Sequence, residues 1–437
     1  MSKFDSLKNG GWKSILKNGR AFFFNTGWLV FDRVFHMLLS LVISSLTARY
    51  LGPDQYGLLG YGLAYINIFT VVCKLGTEGI IVNEIIKKKH NPGSILGTTI
   101  GLRMLSGLLS VGVIALAVMV LKPGDTVVLA ITAIQSISLL FVAFDSIDFW
   151  FQSRLWSKYS SIAKSISYIL VCGWKGALLI LKADVTSFAV ATIIDALAIA
   201  VLLLIFYIRA KGERLRFSLS TAKYLMARSH PFIISSLLIT IYTQMDRIML
   251  GSMSTDAAVG IYTAAMNIGN MWVFIPNALI NSARPIILKH KSEGREEAYQ
   301  KRMTQLYSAV IWISAAAGAF FSLFGRFVIW ILYGEAYAQS GLVLSITIWS
   351  RLFSLIGTTR GIWVVCEGRE KYVKYFVGAG ALINLILNFC LIPLWGAFGA
   401  AAATLVTEIV SSVVMLAWFK KTRPLLKILK NALLLRF

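Results

Sequence analysis

The stretch ILGTTIGLRMLSGLLSVGVIALAVMVLKPGD, residues 95–125, decides the fold class. Residues 95–120 are almost wholly apolar and contain a single charged side chain, that of Arg103. A helix needs about 20 such residues to cross the hydrocarbon core of a bilayer. Lys122-Pro123-Gly124-Asp125 then ends the run with turn-forming residues. The stretch therefore predicts a transmembrane helix followed by a short loop.

The composition of the whole chain supports the same class. Of the 437 residues, 57% are hydrophobic and only 14% are charged. A soluble protein of this length could not cover so much apolar surface with so few charges. The four cysteines lie in apolar runs without metal-ligand or redox spacing, so neither a metal site nor a disulfide framework is predicted. We expect an all-α, polytopic membrane protein without a catalytic site or cofactor.

Apolar runs of similar length continue on both sides of this stretch. Together they predict about twelve transmembrane helices. Their expected ranges are 25–48, 55–76, 95–120, 127–150, 160–181, 185–208, 229–250, 257–281, 304–325, 340–364, 373–393 and 396–419.

The charges between these runs are distributed unevenly. The formal net charge is +23, and most Lys and Arg residues fall in alternate connecting segments and in both tails. In a soluble protein this excess would suggest nucleic acid, but here it is typical of cytoplasmic loops beside anionic lipid. We therefore expect a multi-pass protein of a bacterial or archaeal inner membrane, with both termini cytoplasmic and no nucleic-acid partner.

The two halves of the chain resemble each other. Leu51–Gly57, after the first run, matches Leu250–Gly260, after the seventh, and Asp195 matches Glu408. Corresponding positions lie about 210 residues apart, which predicts two six-helix bundles around a central cavity. The expected parts are an amphipathic cytoplasmic N-terminal tail at 1–24, lobes at 25–210 and 229–420, a cytoplasmic linker at 211–228, and a basic cytoplasmic C-terminal tail at 421–437.

Charged side chains inside the predicted helices are candidate functional residues, because each is costly at bilayer depth unless it is paired or hydrated. A guanidinium group presents a planar fork of donors that matches phosphate oxygens. The candidates for contact with a phosphate-bearing substrate are therefore Arg33, Arg103, Arg247, Arg351 and Arg360.

Acidic residues in the same helices are candidates for coupling to Na⁺ or H⁺, or for gating. They are Asp32, Asp195, Asp246 and Glu408. Structural roles compete with each of these assignments. Asp32 and Arg33 lie near a helix end and could reach the interface, Asp246 could pair with Arg247, and Asp195 could hydrogen-bond to a neighbouring helix.

Several short motifs resemble a known family. They are ARYLGPDQYG at 48–57, LGTEGI at 75–80, DRIMLG at 246–251, EGREK at 367–371 and IPLWGAFGA at 392–400. With them, the chain resembles the polysaccharide exporter or oligosaccharide (O-antigen repeat-unit) flippase family. That family belongs to the superfamily of multidrug, oligosaccharidyl-lipid and polysaccharide exporters.

The resemblance implies two six-helix lobes around a V-shaped cavity. It also implies alternating access that moves a polyprenyl-pyrophosphate-linked oligosaccharide from the inner to the outer leaflet, for O-antigen, lipopolysaccharide or other surface polysaccharide biosynthesis. Membrane lipid, a polysaccharide polymerase and glycosyltransferases are the implied partners. Two alternatives stay open: a cation-coupled multidrug exporter of the same superfamily, and a membrane polysaccharide polymerase or ligase.

Overall fold

A computed structural model describes the backbone of residues 11–87 and 91–436. It describes the side chains of 36–87 and 91–436, apart from those of residues 231, 232 and 235. Within these ranges the regular secondary structure is entirely helical. The all-α fold class predicted from the sequence is therefore confirmed.

Sixteen α-helices are found in the described residues. They are α1 (Gly11–Lys74), α2 (Glu78–Lys87), α3 (Pro92–Leu121), α4 (Thr126–Ser136), α5 (Ser138–Phe141), α6 (Ser146–Ser153), α7 (Lys158–Ile180), α8 (Val185–Arg209), α9 (Leu219–Met253), α10 (Asp256–Trp272), α11 (Phe274–Ser292), α12 (Glu296–Tyr333), α13 (Ala338–Cys366), α14 (Val373–Ile409), α15 (Met415–Trp418) and α16 (Pro424–Leu433). Short 3₁₀ segments lie at Val142–Asp145, Glu335–Tyr337 and Glu370–Tyr372, and a π-helical turn lies at Val410–Val414.

Two of the long helices are interrupted by a glycine in the left-handed region. Gly52 in α1 has φ 72° and Gly396 in α14 has φ 53°. A residue with a side chain is disfavoured in this conformation, whereas glycine adopts it readily. The breaks fall between the first and second predicted spans and between the eleventh and twelfth, so each long helix holds two successive spans.

Nine helical stretches among the described residues are long and apolar enough to cross a membrane. Two of them, His36–Lys87 and Glu370–Trp418, each cover parts of two predicted spans. In both, helical structure continues on either side of the glycine break. The seventh predicted span lies in α9, which is not one of the nine. The protein is thus a multi-pass membrane protein, and the count of twelve spans stays a prediction.

The chain divides into two compact units, Met1–Ser44 and Ser45–Phe437. The described part of the first unit is the beginning of α1. Among the described residues of the second unit, one hydrophobic core is formed by residues from Ile81 to Tyr207 and another by residues from Ile280 to Ala432. The two helix bundles and the lobe boundaries at 210 and 229 remain predictions.

The helix α16 lies within the predicted C-terminal tail, 421–437. Its residues Leu425, Ile428 and Ala432 recur at helical spacing and are buried in the second core. This part of the tail is therefore packed against protein through Leu425, Ile428 and Ala432.

The two halves meet where α1, beyond its glycine break, crosses α10. A Cβ atom on Gly57 would collide with the carbonyl oxygen of Asp256, and one on Gly260 would collide with that of Pro53. The two contacts are equivalent, because each pairs a glycine with the residue four positions before the other glycine. This glycine crossing brings together the two sequence motifs that the internal repeat relates.

The glycine crossing gives a testable prediction. Replacing Gly260→Leu should cost about 3 kcal/mol of stability, because backbone atoms face the new side chain and cannot move aside cheaply. Thermal unfolding of the purified protein in detergent measures the effect. The control is Gly112→Leu in α3, since no atom lies within 4 Å of a Cβ at Gly112. Equal unfolding temperatures for the two variants would contradict the close approach.

Candidate transport site

A buried carboxylate, that of Asp246 in α9, is the centre of a polar cluster in the second half. Only 4% of Asp246 is exposed. Its oxygens accept hydrogen bonds from the Tyr262 hydroxyl at 2.5 Å, from Asn388 Nδ2 at 2.7 Å and from the Thr404 hydroxyl at 2.8 Å. Three donors offset much of the cost of placing this carboxylate away from water.

The break at Gly396 explains how α14 supplies two of these donors. Asn388 precedes the break and Thr404 follows it, and the change of direction brings both side chains to the same carboxylate. Asn388 Nδ2 also donates to Asn384 Oδ1 at 3.0 Å, one helical turn away. We call Asp246, Tyr262, Asn384, Asn388 and Thr404 the Asp246 cluster.

Glu408 extends this polar region along α14. It is 9% exposed and lies one helical turn beyond Thr404. The Tyr242 hydroxyl of α9 donates to Glu408 Oε1 at 2.9 Å. Glu408 also interacts electrostatically with Arg351 and Arg360 of α13. The two predicted acids of the second half therefore lie between the same pair of helices, α9 and α14.

Two of the predicted arginines approach the same region from α13. Arg360 Nη1 donates to the carbonyl oxygen of Ser411 at 2.6 Å, and its guanidinium lies 4.1 Å from the ring centre of Phe376. Arg351 Nη2 lies 3.5 Å from the sulfur of Met266, which is a weak acceptor. Arg360 is thus held by the protein, whereas Arg351 has no strong acceptor among its described contacts.

Arg247, beside Asp246 in the sequence, also retains unused donors. Its Nη1 donates to Gln244 Oε1 at 3.0 Å. The Nε atoms of Arg247 and Arg351 are both buried and have no hydrogen-bond partner among the described residues. Each of the two guanidinium groups therefore keeps at least one buried N–H donor for an incoming acceptor.

The first half contains the other described candidates. Arg103 in α3 is fully buried, donates to the Thr77 hydroxyl at 2.7 Å, and lies 5.8 Å from the ring centre of Phe149. Asp195 in α8 accepts a hydrogen bond from Ser167 Oγ at 2.6 Å. The contacts of Arg103 and Asp195 are thus with first-half residues and do not join the Asp246 cluster.

The structure assembles Arg247, Arg351, Arg360, Asp246 and Glu408 from three helices of one half. The remaining candidates, Asp32 and Arg33, lie in α1, and their side chains are outside the described residues. Whether any of the nine candidates contacts substrate stays a prediction.

Five contributing residues were not candidates from the sequence. They are Tyr242, Tyr262, Asn384, Asn388 and Thr404. The available signal was two amides one helical turn apart in an otherwise apolar span, a pattern that indicates a polar helix face. Tyrosine and threonine are common in membrane helices, so these residues carry little signal until their partners are known.

Buried acids and arginines held between membrane-spanning helices are typical of proteins that move polar solutes or ions through a bilayer. The sequence model of the family described as "Polysaccharide biosynthesis protein" matches residues 23–291. This match covers more than half of the chain, and the protein belongs to that family. A model described as MatE matches residues 231–390. The family predicted from the motifs is thereby confirmed.

Curated relatives are similar over parts of their length. The chain is 26% identical to a probable flippase, AglR, of Haloferax volcanii over 39% of this chain and 37% of AglR. It is 24% identical to a putative O-antigen transporter of Salmonella typhi over 60% of this chain and 66% of that protein. The chain thus aligns with less than two thirds of each relative.

A solved structure shares the fold over nearly the whole chain. The lipid II flippase MurJ in an inward closed conformation superposes with a TM-score of 0.74, at 16% identity, over 93% of this chain and 91% of MurJ. At this level of identity the likeness concerns the fold alone.

Proposed function

We propose that the protein is a flippase that moves a polyprenyl-pyrophosphate-linked oligosaccharide from the inner to the outer leaflet by alternating access. Family membership, the flippase and O-antigen transporter names of the relatives, and the fold shared with MurJ support this function. The protein would then act as a transporter rather than an enzyme. Its expected partners are the lipid-linked substrate, a polysaccharide polymerase and glycosyltransferases.

The observation that carries the proposal is the unused donor capacity of Arg247 and Arg351. A buried N–H without an acceptor costs free energy, and a phosphate oxygen would remove that cost. A pyrophosphate group carries negative charge that hydrocarbon cannot solvate. In the proposed cycle these guanidinium groups replace its hydration shell while the polyprenyl tail stays in lipid.

The proposed orientation follows the distribution of charge. We assign the helix ends that carry most Lys and Arg, here called the basic end, to the cytoplasm of a bacterial or archaeal cell. The opposite ends, here called the neutral end, include the glycine crossing. There Lys122 forms an ion pair with Asp256, and the Tyr61 hydroxyl lies 3.3 Å from Ser252 Oγ. These contacts between the halves support a form that is closed toward the outside.

Complementation tests the flippase proposal. In a host strain that lacks its own flippase gene, the double variant Arg247→Gln/Arg351→Gln should reduce surface polysaccharide at least about tenfold, because charge-assisted hydrogen bonds to phosphate are lost. Immunoblotting of surface polysaccharide measures the effect at matched protein levels. The control is Arg302→Gln, an exposed arginine whose Nη1 donates to Gln305 Oε1. Wild-type polysaccharide from the double variant would contradict the assignment.

A multidrug exporter is the second candidate function, because the MatE model matches residues 231–390. Such an exporter binds organic cations, for which an acidic cavity is suitable. The described second-half site instead combines three arginines with two acids. Efflux of a cationic dye from whole cells distinguishes the two functions, since a flippase should leave the dye level unchanged.

We also propose that Na⁺ couples to transport at the Asp246 cluster. Hard cations favour oxygen ligands. The cluster offers the Asp246 carboxylate, and Asn388 Oδ1 is buried without a partner among the described residues. Asn388 and Thr404 lie on the two successive spans of α14, on opposite sides of the break at Gly396. A proton on Asp246 is the competing coupling ion.

The first half carries a different residue at the corresponding position. Lys175 precedes Asp195 by the same number of residues as Asn388 precedes Glu408. An ammonium group at this position already supplies a positive charge, so a free cation has no corresponding site there. The proposal is therefore one coupling cation for each cycle, bound in the second half.

Transport into proteoliposomes tests the coupling. With an inward Na⁺ gradient the wild-type rate should exceed the rate in choline, and Asp246→Asn should abolish this difference because the ligand charge is lost. Asn388→Ala should raise the Na⁺ concentration needed for half-maximal rate by about tenfold, as expected for loss of one ligand. An unchanged rate in choline, with a pH gradient as driving force, would contradict Na⁺ coupling and favour H⁺.

A further inference from the structure

A cavity of about 650 Å³ lies at the basic end, away from the candidate transport site. It lies between the first turns of α12, the end of α13, and α16. Trp363, Pro424 and Ile428 form its apolar wall. The cavity exists because α16 is fixed to the second core by its apolar face, which leaves the polar face of α16 as one side of the opening.

Five cations line this cavity. They are Lys301, Arg369, Lys421, Lys427 and Arg436. They come from α12, from the turn after α13, from α16 itself and from the residues on either side of α16, so residues distant in sequence converge on one opening. Among the described residues, none of the five has a carboxylate within 4.0 Å.

Three carboxylates also line the cavity, and two of them are already paired. Lys291 Nζ lies 3.1 Å from Glu296 Oε2 and 2.7 Å from Glu367 Oε1. Glu297 is the third. The lining therefore keeps an excess of positive charge, and its unpaired members are mostly cations. Such a lining selects an anion with several acceptor oxygens, which a phosphate group provides.

The surface beside the cavity is apolar. Leu433, Leu434 and Leu435 follow Asn431, a lining residue, and each is about half exposed. Trp418, before α16, is 76% exposed, and exposed tryptophans favour the membrane interface. A ligand in the cavity can therefore continue into hydrocarbon along these leucines, which a soluble phosphate compound does not need.

We propose that this cavity binds the phosphate headgroup of an anionic phospholipid from the cytoplasmic leaflet. The acyl chains of the lipid lie against Leu433–Leu435, and the phosphate contacts Arg369 and Lys427. The inference rests on the proposed orientation, with the basic end in the cytoplasm, and is independent of the flippase proposal. It makes the C-terminal segment a lipid-binding element of the second half.

Native mass spectrometry of the full-length protein in detergent tests this site. Dioleoylphosphatidylglycerol is the probe, and dioleoylphosphatidylcholine and glycerol 1-phosphate are the comparisons. The double variant Arg369→Gln/Lys427→Gln should weaken phosphatidylglycerol binding by about 25-fold, at about fivefold for each charge removed near a membrane surface. Phosphatidylcholine should bind at least about tenfold more weakly than phosphatidylglycerol, because it lacks net charge.

The matched control is Lys371→Gln/Lys430→Gln. Lys371 follows the same turn as Arg369, and Lys430 lies on α16 beside Lys427, yet neither lines the cavity. This control should bind phosphatidylglycerol within about twofold of wild type. Equal losses in both double variants would overturn the proposal, because general surface charge would then explain the binding.

Two further outcomes would also overturn it. Phosphatidylcholine binding as tight as phosphatidylglycerol binding would exclude selection by charge. Competition by glycerol 1-phosphate at the same concentration as the lipid would assign the cavity to a soluble phosphate compound instead. Unfolding temperatures without lipid should match wild type for both double variants, which separates loss of the site from loss of the fold.

Discussion

The cost of placing charge among membrane-spanning helices is the constraint on which the rest of the structure depends. The cost of burying the Asp246 carboxylate is offset by hydrogen bonds from Tyr262, Asn388 and Thr404. The last two donors both lie on α14, which changes direction between them at Gly396. The polar cluster thus specifies how α9, α10 and α14 pack. For Arg247 and Arg351 this cost is offset only in part, because the Nε atom of each is buried without a hydrogen-bond partner among the described residues. These unused N–H groups are the reason to propose a phosphate-bearing substrate.

Much of the fold was accessible from sequence because hydrophobicity and charge report on membrane crossing directly. The long apolar runs predicted an all-α multi-pass protein, and the motifs predicted the family. The repeat related Leu51–Gly57 to Leu250–Gly260, and these segments form the glycine crossing. Packing needs close backbone contact there, and only glycine permits it, so a sequence signal and a physical requirement coincide.

The partners of the candidate residues could not be predicted, because pairing depends on helix rotation and on breaks that span patterns do not reveal. Arg103 is a candidate by the same reasoning as Arg351, yet the structure places it in the first half beside Thr77, where its Nε and Nη1 are also buried without a partner among the described residues. Glycine at 396 indicates a turn without giving its direction, so the convergence of Asn388 and Thr404 on one carboxylate could not be foreseen. The packing of α16 against the second core likewise requires knowledge of its neighbours.

Cysteine labelling tests the central claim, that the second-half arginines meet water and substrate. The four native cysteines are first replaced, and Arg351→Cys is treated with a membrane-impermeant, water-soluble maleimide in proteoliposomes. The claim predicts labelling at this position and protection by lipid-linked oligosaccharide, whereas Leu109→Cys, at an exposed apolar position of α3, stays unlabelled. An unreactive cysteine at 351 in the absence of substrate would contradict a hydrated path beside Arg351.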